Sequence, residues 1–325
     1  MKMIRKSILE LDVSWKSEID QFIDLNNGLV FHYTGFNEIV SSANKTKLSY
    51  IIAVKKNEII GVCPIHRINK GFLHFDYSNN WNYEIPYGGW VYNINQIDFD
   101  SLWKRLPVAL FGSLTYCSSF VYDIPERLKK TGKNFETGLI DLSIPVEVIW
   151  QNYIHPNKRN KIRKAEKSGI IIEKHGIENL YIFLNLIKET RRKAGLCESI
   201  TNYYEKLLNE YLPDNAVVLV SYYEKRPISG VVVLGNKNIM HYWLGASADN
   251  VPNLGQGELL QWEAIKWAKG QNARYYDLCV IEKERLPNIA HFKMGFTKEL
   301  VPFYILSKKT ILFKGFNKIK NAITN

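Results

Sequence analysis

The sequence of 325 residues has only four cysteines, Cys63, Cys117, Cys197 and Cys279, and they are widely scattered. With no C-x-x-C pair and no nearby histidine cluster, they argue against zinc and against a disulfide framework. They read as reduced, packed thiols, and no metal is expected. No apolar run approaches the roughly 20 residues needed to span a bilayer. The opening MKMIRKSILELDVSWKSE meets acids and serine too early for a secretory apolar core, so the expected location is the cytoplasm. There is no G-x-S-x-G elbow and no Cys–His arrangement to announce a covalent nucleophile. Acids are also short: 32 against 43 basic residues, a net charge of +11. That imbalance suggests a polyanionic partner, whether a nucleic acid, a phosphorylated small molecule or an anionic membrane surface.

What is present describes a soluble globular protein, 46% hydrophobic and 23% charged, and long enough for two domains. The two halves echo each other. SYIIAV (49–54) and EIIGVCPI (58–65) read as strands joined by a Lys-Asn turn, while AVVLVSYY (216–223) and ISGVVVL (228–234) flank Glu-Lys-Arg-Pro. Overlaid, KKNEIIGV (55–62) and EKRPISGV (224–231) share Lys, Ile, Gly and Val at the same offsets. Helical material precedes each hairpin: SEIDQFIDLNN in one, and ENLYIFLNLIKETRRKAG in the other, with Leu180, Phe183, Leu184 and Ile187 at helical spacing. After each hairpin the pattern predicts a further strand, a helix and a strand, the last two in SLWKRLPVALFG then SLTYCSSFVYDI, and in LLQWEAIKWAKG then ARYYDLCVI. This is an α+β plan with mixed, mostly antiparallel sheets. A boundary is expected at 145/146, where Pro145 opens a helix, giving domains 1–145 and 146–325.

The stretch HPNKRNKIRKAEKSGI (155–170) carries six cations between Lys158 and Lys167 against one acid, Glu166. Pro156 suits a first helical turn and Gly169 a C-terminal stop. Lys158, Arg159 and Lys161 then crowd the end where the helix dipole is already positive, at a cost of about 0.3–1 kcal/mol each in isolation. A bound phosphate would remove the conflict; a solvated basic helix is the plainer account. The tail from Ser307 holds Lys308, Lys309, Lys314, Lys318 and Lys320 without an acid, interleaved with Ile, Leu and Phe. It could pack on the domain or make a peripheral membrane contact.

The pattern K-R-N-K-I-R-K-A-E-K-S-G-I after Trp150 resembles the start of the second domain in the Fem aminoacyltransferase family and its relatives. IPYGGWV (85–91), LLQWEAIKWAKGQNARYYDL and HFKMGF (291–296) are similar to further segments of that family, in the same order. The resemblance implies two tandem GNAT-like domains and transfer of an acyl or aminoacyl group to an amine. The donor would be acyl-CoA or aminoacyl-tRNA as co-substrate, with no tightly bound cofactor. The acceptor would be a small-molecule amine or a nucleotide- or lipid-linked glycan precursor of the cell envelope. One alternative is a tRNA-dependent peptidoglycan cross-bridge ligase. Another, from outside the enzymes, is a non-catalytic protein that binds RNA or a membrane surface, although RNP-like aromatics, a KH loop and a zinc knuckle are all missing.

By the same resemblance Arg159 binds acceptor phosphates, helped by Lys158 and Arg163, and Lys293 faces the reacting centre, where it could neutralise an oxyanion. Asp277, a carboxylate in an apolar strand, is either a base with a raised pKa or a satisfied structural acid. Tyr87, Tyr242 and Trp243, with Trp81, Tyr83 and Trp90, are candidates to stack on a sugar or base, or else are core. The loop Pro252-Asn-Leu-Gly255-Gln-Gly257 before a helix resembles a pyrophosphate-binding loop without its first residue, and is equally a plain helix entry. Gly255, Gly257 and Phe292 are the donor-binding candidates. The lysine that the family carries early in its first domain has no counterpart around Val30-Phe31-His32-Tyr33.

Overall fold

The computed structural model describes residues 1–79, 85–193, 195 and 201–315. Trp81, Tyr83, Cys197, Lys318 and Lys320 lie outside them. The chain divides into two units, Met1–Phe135 with the segment from Pro302 onward, and Glu136–Val301.

The first unit runs β1 (Lys2–Ser7), α1 (Val13–Leu25), α2 (Thr34–Asn44), β2 (Lys47–Lys55), β3 (Glu58–Lys70), β4 (Leu73–Tyr77), β5 (Val91–Tyr92), α3 (Phe99–Arg105), β6 (Gly112–Cys117) and α4 (Glu126–Lys129). The chain continues through β7 (Lys133–Asp141), α5 (Val146–Asn152), α6 (Pro156–Lys167), β8 (Ile171–His175), α7 (Leu180–Lys193), α8 (Thr201–Tyr211), β9 (Ala216–Tyr223), β10 (Arg226–Gly235), β11 (Ile239–Ser247), α9 (Gln256–Gly270), β12 (Tyr275–Ile281), α10 (Pro287–Met294) and β13 (Glu299–Lys309).

The duplication is visible in the strand order. The first unit's sheet runs β1-β2-β3-β4-β6-β13, the second's β8-β9-β10-β11-β12-β7. In each, one neighbouring pair is parallel, β4 with β6 and β11 with β12, and the other neighbours are antiparallel. Both hairpins turn on two left-handed residues, Lys56-Asn57 and Glu224-Lys225, the backbone that matches strand twist. Arg226 and Pro227 therefore belong to β10 rather than to the turn.

Each closing strand is exchanged. β7 follows the first copy's last helix but pairs with β12, and β13 ends the second copy but pairs with β6. The division accordingly falls at 135/136 instead of 145/146, and the chain from Pro302 returns to the first unit. A composition-based boundary cannot see this, because strand pairing is long-range. Local signals fare better. Pro145 is the N-cap of α5, Pro156 the first residue of α6, and Gly169 takes the left-handed conformation after it at φ +76°. The helix expected over SLWKRLPVALFG stops at Arg105, since Pro107 pushes Leu106 to extended backbone (ψ 113°).

Apolar faces build separate cores. Ile51, Cys63, Leu102, Leu114 and Leu306 pack on one face of the first sheet, and Ile19, Ile23, Tyr50 and Val62 on the other. In the second unit Ile162, Val231, Leu260, Ile265 and Phe296 are among the buried set. No described helix is long and apolar enough to cross a membrane.

Candidate active site

In the second unit β11 and β12 pair only from Ile239↔Tyr275 to His241↔Asp277. Beyond that point β11 stays with β10 to Ser247, bulging at Trp243, while β12 bulges between Asp277 and Val280, where Cys279 is left-handed at φ +56°. The two strands thus part in mid-sheet, and the bulges re-aim the residues beside the gap. The helix that links them, α9, begins at Gly255 (φ +89°) and has no side-chain cap. Its first-turn N–H groups keep their capacity to bind an anion. A Cβ at Gly255 would lie 2.4 Å from Lys161 O, so glycine permits α6 to approach here. At Gly257 it would meet only Phe292, at 3.7 Å. The three donor-binding candidates therefore converge.

The cations of α6 find partners inside the protein. Lys158, 6% exposed, reaches Glu258 Oε1 at 3.0 Å, and Lys161 reaches the same oxygen at 3.0 Å. Lys158 Nζ also lies 4.6 Å from the Phe292 ring centre. Burial alone would raise the Glu258 carboxyl, but hydrogen bonds from Lys161 and Lys158 hold it below the usual carboxylate range. Glu258 sits in the first turn of α9, where the dipole favours it. Arg159 donates to Trp150 O at 3.1 Å and Gln151 O at 2.8 Å, closing the C-terminal end of α5. Arg163 lies over Trp150 at 5.6 Å, and Lys164 donates to Asn253 O. Lys158, Lys161 and Arg159, the cations at the helix entrance where a phosphate was expected, are thus bonded to Glu258 and to the carbonyls of α5. Arg159 in particular faces helix carbonyls, because an arginine one turn into α6 is within reach of the preceding helix's end.

Asp277 is fully buried and accepts from the Thr137 hydroxyl, from His241 Nδ1 at 2.7 Å and from the Cys279 N–H at 3.0 Å. Three strands supply those donors, which is the arrangement of a satisfied acid. His241, Asp277 and Cys279 each offer a ligand atom within 4.8 Å of the others, the one such grouping among the described residues. The spacing of cysteine and histidine in sequence could not reveal it, since the residues meet across β11 and β12. Lys293, 8% exposed, donates to Val280 O at 2.9 Å and lies 5.4 Å from the Tyr242 ring centre. Burial pushes its pKa down, against the pull of Cys279, Asp277 and Glu282. Burial likewise pushes the Tyr242 hydroxyl up to about 12.

The aromatics divide. Tyr242 borders the strand gap. Trp243 is buried edge-on to Tyr203 and Tyr204, at 6.2 and 5.6 Å. Tyr87 is wholly buried in the first unit among Phe31, Phe120 and Phe303, so it is core and cannot stack on a ligand there. Two grooves of about 710 and 490 Å³ share Lys174, Trp267 and Gln271 and are lined by none of the candidate residues; they lie toward the other end of α9, away from this chemistry.

Residues 156–293 match the family model described as "Acetyltransferase (GNAT) domain". The whole chain superposes on solved structures. FemX aligns at TM-score 0.68 and 15% identity over 98% of this chain and 99% of that one. A tandem GNAT protein from the clavulanic acid biosynthesis pathway gives 0.53 and 10% over 95% and 98%. L-PGS from Bacillus licheniformis gives 0.51 and 9% over 91% and 92%. No curated protein matches the sequence. Residues 156–293 are thus similar to a GNAT acetyltransferase domain, and the chain as a whole has the tandem fold seen in FemX.

Proposed function

We propose that the second unit transfers an acyl or aminoacyl group from a phosphate-bearing donor to the amine of a cell-envelope or glycan precursor in the cytoplasm. The observation that carries this reading is the coincidence of the parted β11 and β12, the α9 entrance without a side-chain cap, and the buried Lys293 beside the gap. Donor phosphates lie against the N–H groups of Gln256 and Gly257, with the acyl chain directed into the gap. The acceptor amine, having lost a proton, attacks the acyl carbonyl. A tetrahedral oxyanion forms, and it collapses as the donor's thiol or ribose oxygen leaves and takes a proton. Lys293 stabilises the oxyanion, and low polarity around it strengthens that interaction. Asp277, held by donors from β7, β11 and β12, orients β11 against β12 and is a positioning residue in this scheme.

Acyl-CoA is the donor that a short glycine-flanked helix entrance suits best; aminoacyl-tRNA, and with it cross-bridge synthesis in peptidoglycan, is the second reading. The exposed Arg163 and Lys167 on α6 favour it, as cations that an RNA backbone would meet. Mass spectrometry of candidate amines incubated with the protein and either acetyl-CoA or a charged tRNA pool identifies donor and acceptor together. Lys293→Met is expected to lower kcat by about a hundredfold or more. An unchanged rate in that variant would overturn the assignment of Lys293.

A further inference from the structure

We propose that one end of the first unit is a docking surface for an anionic lipid bilayer. Three segments meet there: the β3–β4 turn around Phe72, the loop at 107–111 that leads into β6, and the helical turn at 311–315 after β13. They are fastened together. Thr310 donates its N–H to Gly112 O at 3.2 Å and its hydroxyl to Leu110 O at 2.6 Å, and His74 N–H bonds Phe111 O at 3.1 Å. Beneath them Phe313, 3% exposed, meets Phe75 edge-on at 5.5 Å, and Phe111 braces the exposed Phe72 at 5.6 Å.

On this fixed base stand Ile311, Leu110, Phe72 and Leu312, at 86, 68, 54 and 45% exposure. Scattered apolar residues on a surface are ordinary, but a group of large ones marks an interaction site. The segments that carry them have charge of one sign: 68–75, 104–115 and 303–315 contain no Asp or Glu, and their Lys70, Lys104, Arg105, Lys309 and Lys314 are exposed, while Lys308 is turned inward to Trp103 O and Leu106 O. Apolar tips within a collar of cations complement a bilayer surface, where side chains enter the acyl boundary and lysines meet anionic headgroups. A nucleic acid would use the cations but leave four apolar side chains in water.

The test is co-sedimentation of the full chain with vesicles of equal parts phosphatidylglycerol and phosphatidylcholine, against phosphatidylcholine alone. The protein is expected to pellet with the anionic vesicles. Leu110→Ser/Ile311→Ser should weaken partition by about tenfold or more, and Lys309→Glu/Lys314→Glu by a similar factor. Thermal melts unchanged from wild type would certify that these surface variants fold. The proposal fails if the wild type stays in solution with anionic vesicles, or if Leu110→Ser/Ile311→Ser partitions as the wild type does. It fails equally if that variant instead abolishes a dimer seen in sedimentation equilibrium, which assigns the patch to a second copy. Vesicle binding is read without donor or acceptor, so its failure leaves the transfer reading untouched, and the reverse.

Discussion

In the first unit β4 and β6 pair from His74↔Gly112 to Tyr77↔Thr115, and the chain then seals the end of the joint. Ser78 N–H bonds Thr115 O, and the Ser78 hydroxyl accepts from Cys117 N–H at 2.9 Å. The Pro-Tyr-Gly-Gly-Trp segment closes over it: Trp90 N–H donates to Tyr116 Oη at 2.9 Å. A Cβ on Gly88 would lie 2.0 Å from Ser78 O, and one on Gly89 2.6 Å from the Tyr116 hydroxyl. The following helix, α3, is capped by the Asp98 side chain, which accepts from Ser101 N–H at 2.8 Å. In the second unit the corresponding strands part, and the corresponding helix has no side-chain cap. One copy has closed with its own backbone the opening that the other keeps. At Gly88 and Gly89 the lack of a side chain permits close packing on Ser78 and Tyr116.

The difference can be broken most forcefully at Glu258. Glu258→Leu strands the buried Lys158 ammonium, and the loss should be about 3–5 kcal/mol in urea denaturation followed by a probe in the second unit. Lys158→Met/Glu258→Leu should recover most of it, because well-packed apolar side chains can replace a buried pair. A loss below about 1 kcal/mol in the single variant would mean that solvent reaches the Lys158 ammonium.

Acid should separate the units. Burial lowers the His66 pKa from 6.5 to about 4, with the ring held neutral between Asn37 Oδ1 at 2.9 Å and Thr46 Oγ1 at 3.1 Å. The unfolded chain binds the proton first, so stability is full above pH 6.5 and falls as pH drops toward about 4. The fall is at most about 3 kcal/mol. Glu258, whose folded pKa is depressed, loses its contribution only below the usual carboxylate range. Hydrogen exchange at pH 7 and pH 5 should show protection lost around Asn37 and His66 before α9. Equal loss in both units, or none near His66, would contradict this.

The glycines sharpen the contrast further. Gly88→Ala should cost about 2–3 kcal/mol by forcing backbone apart. Gly257→Ala has room, and its stability should change by no more than about 0.5 kcal/mol while the apparent affinity for the donor falls. An unchanged donor KM in Gly257→Ala would remove the α9 entrance from the site.

How much of this was legible in the sequence follows the range of each interaction. The hairpin echo, the ends of α6 and the α9 entrance depend on neighbours in the chain, and Pro156, Gly169 and Gly255 signal them. The exchanged strands were hidden, because nothing in Lys133–Asp141 says that its partner is β12. The partner of Lys158 was hidden for the same reason: Glu258 is 100 residues away. Without it a basic helix entrance reads as a vacancy for a phosphate. Lys293 was named from a motif, but its burial and its carbonyl partner belong to the packing of α10 on β12.

The smallest effect tests the cleanest part of the contrast. Asp98→Ala removes the cap of α3 and should cost about 1 kcal/mol, the usual worth of an N-cap. It should leave acyl transfer unchanged, because the joint beside α3 is filled by Gly88, Gly89 and Trp90. The reciprocal change, Gly255→Asp, would place a carboxylate where donor phosphates are proposed to sit. It would also force a Cβ toward Lys161 O, so lost activity alone says little. Gln256→Glu adds a like charge at the same entrance without touching that contact. If donor KM rises several-fold in Gln256→Glu while Asp98→Ala leaves it alone, the two helix entrances differ in function as well as in capping. If neither variant moves it, the donor binds elsewhere and the uncapped α9 is only a packing solution.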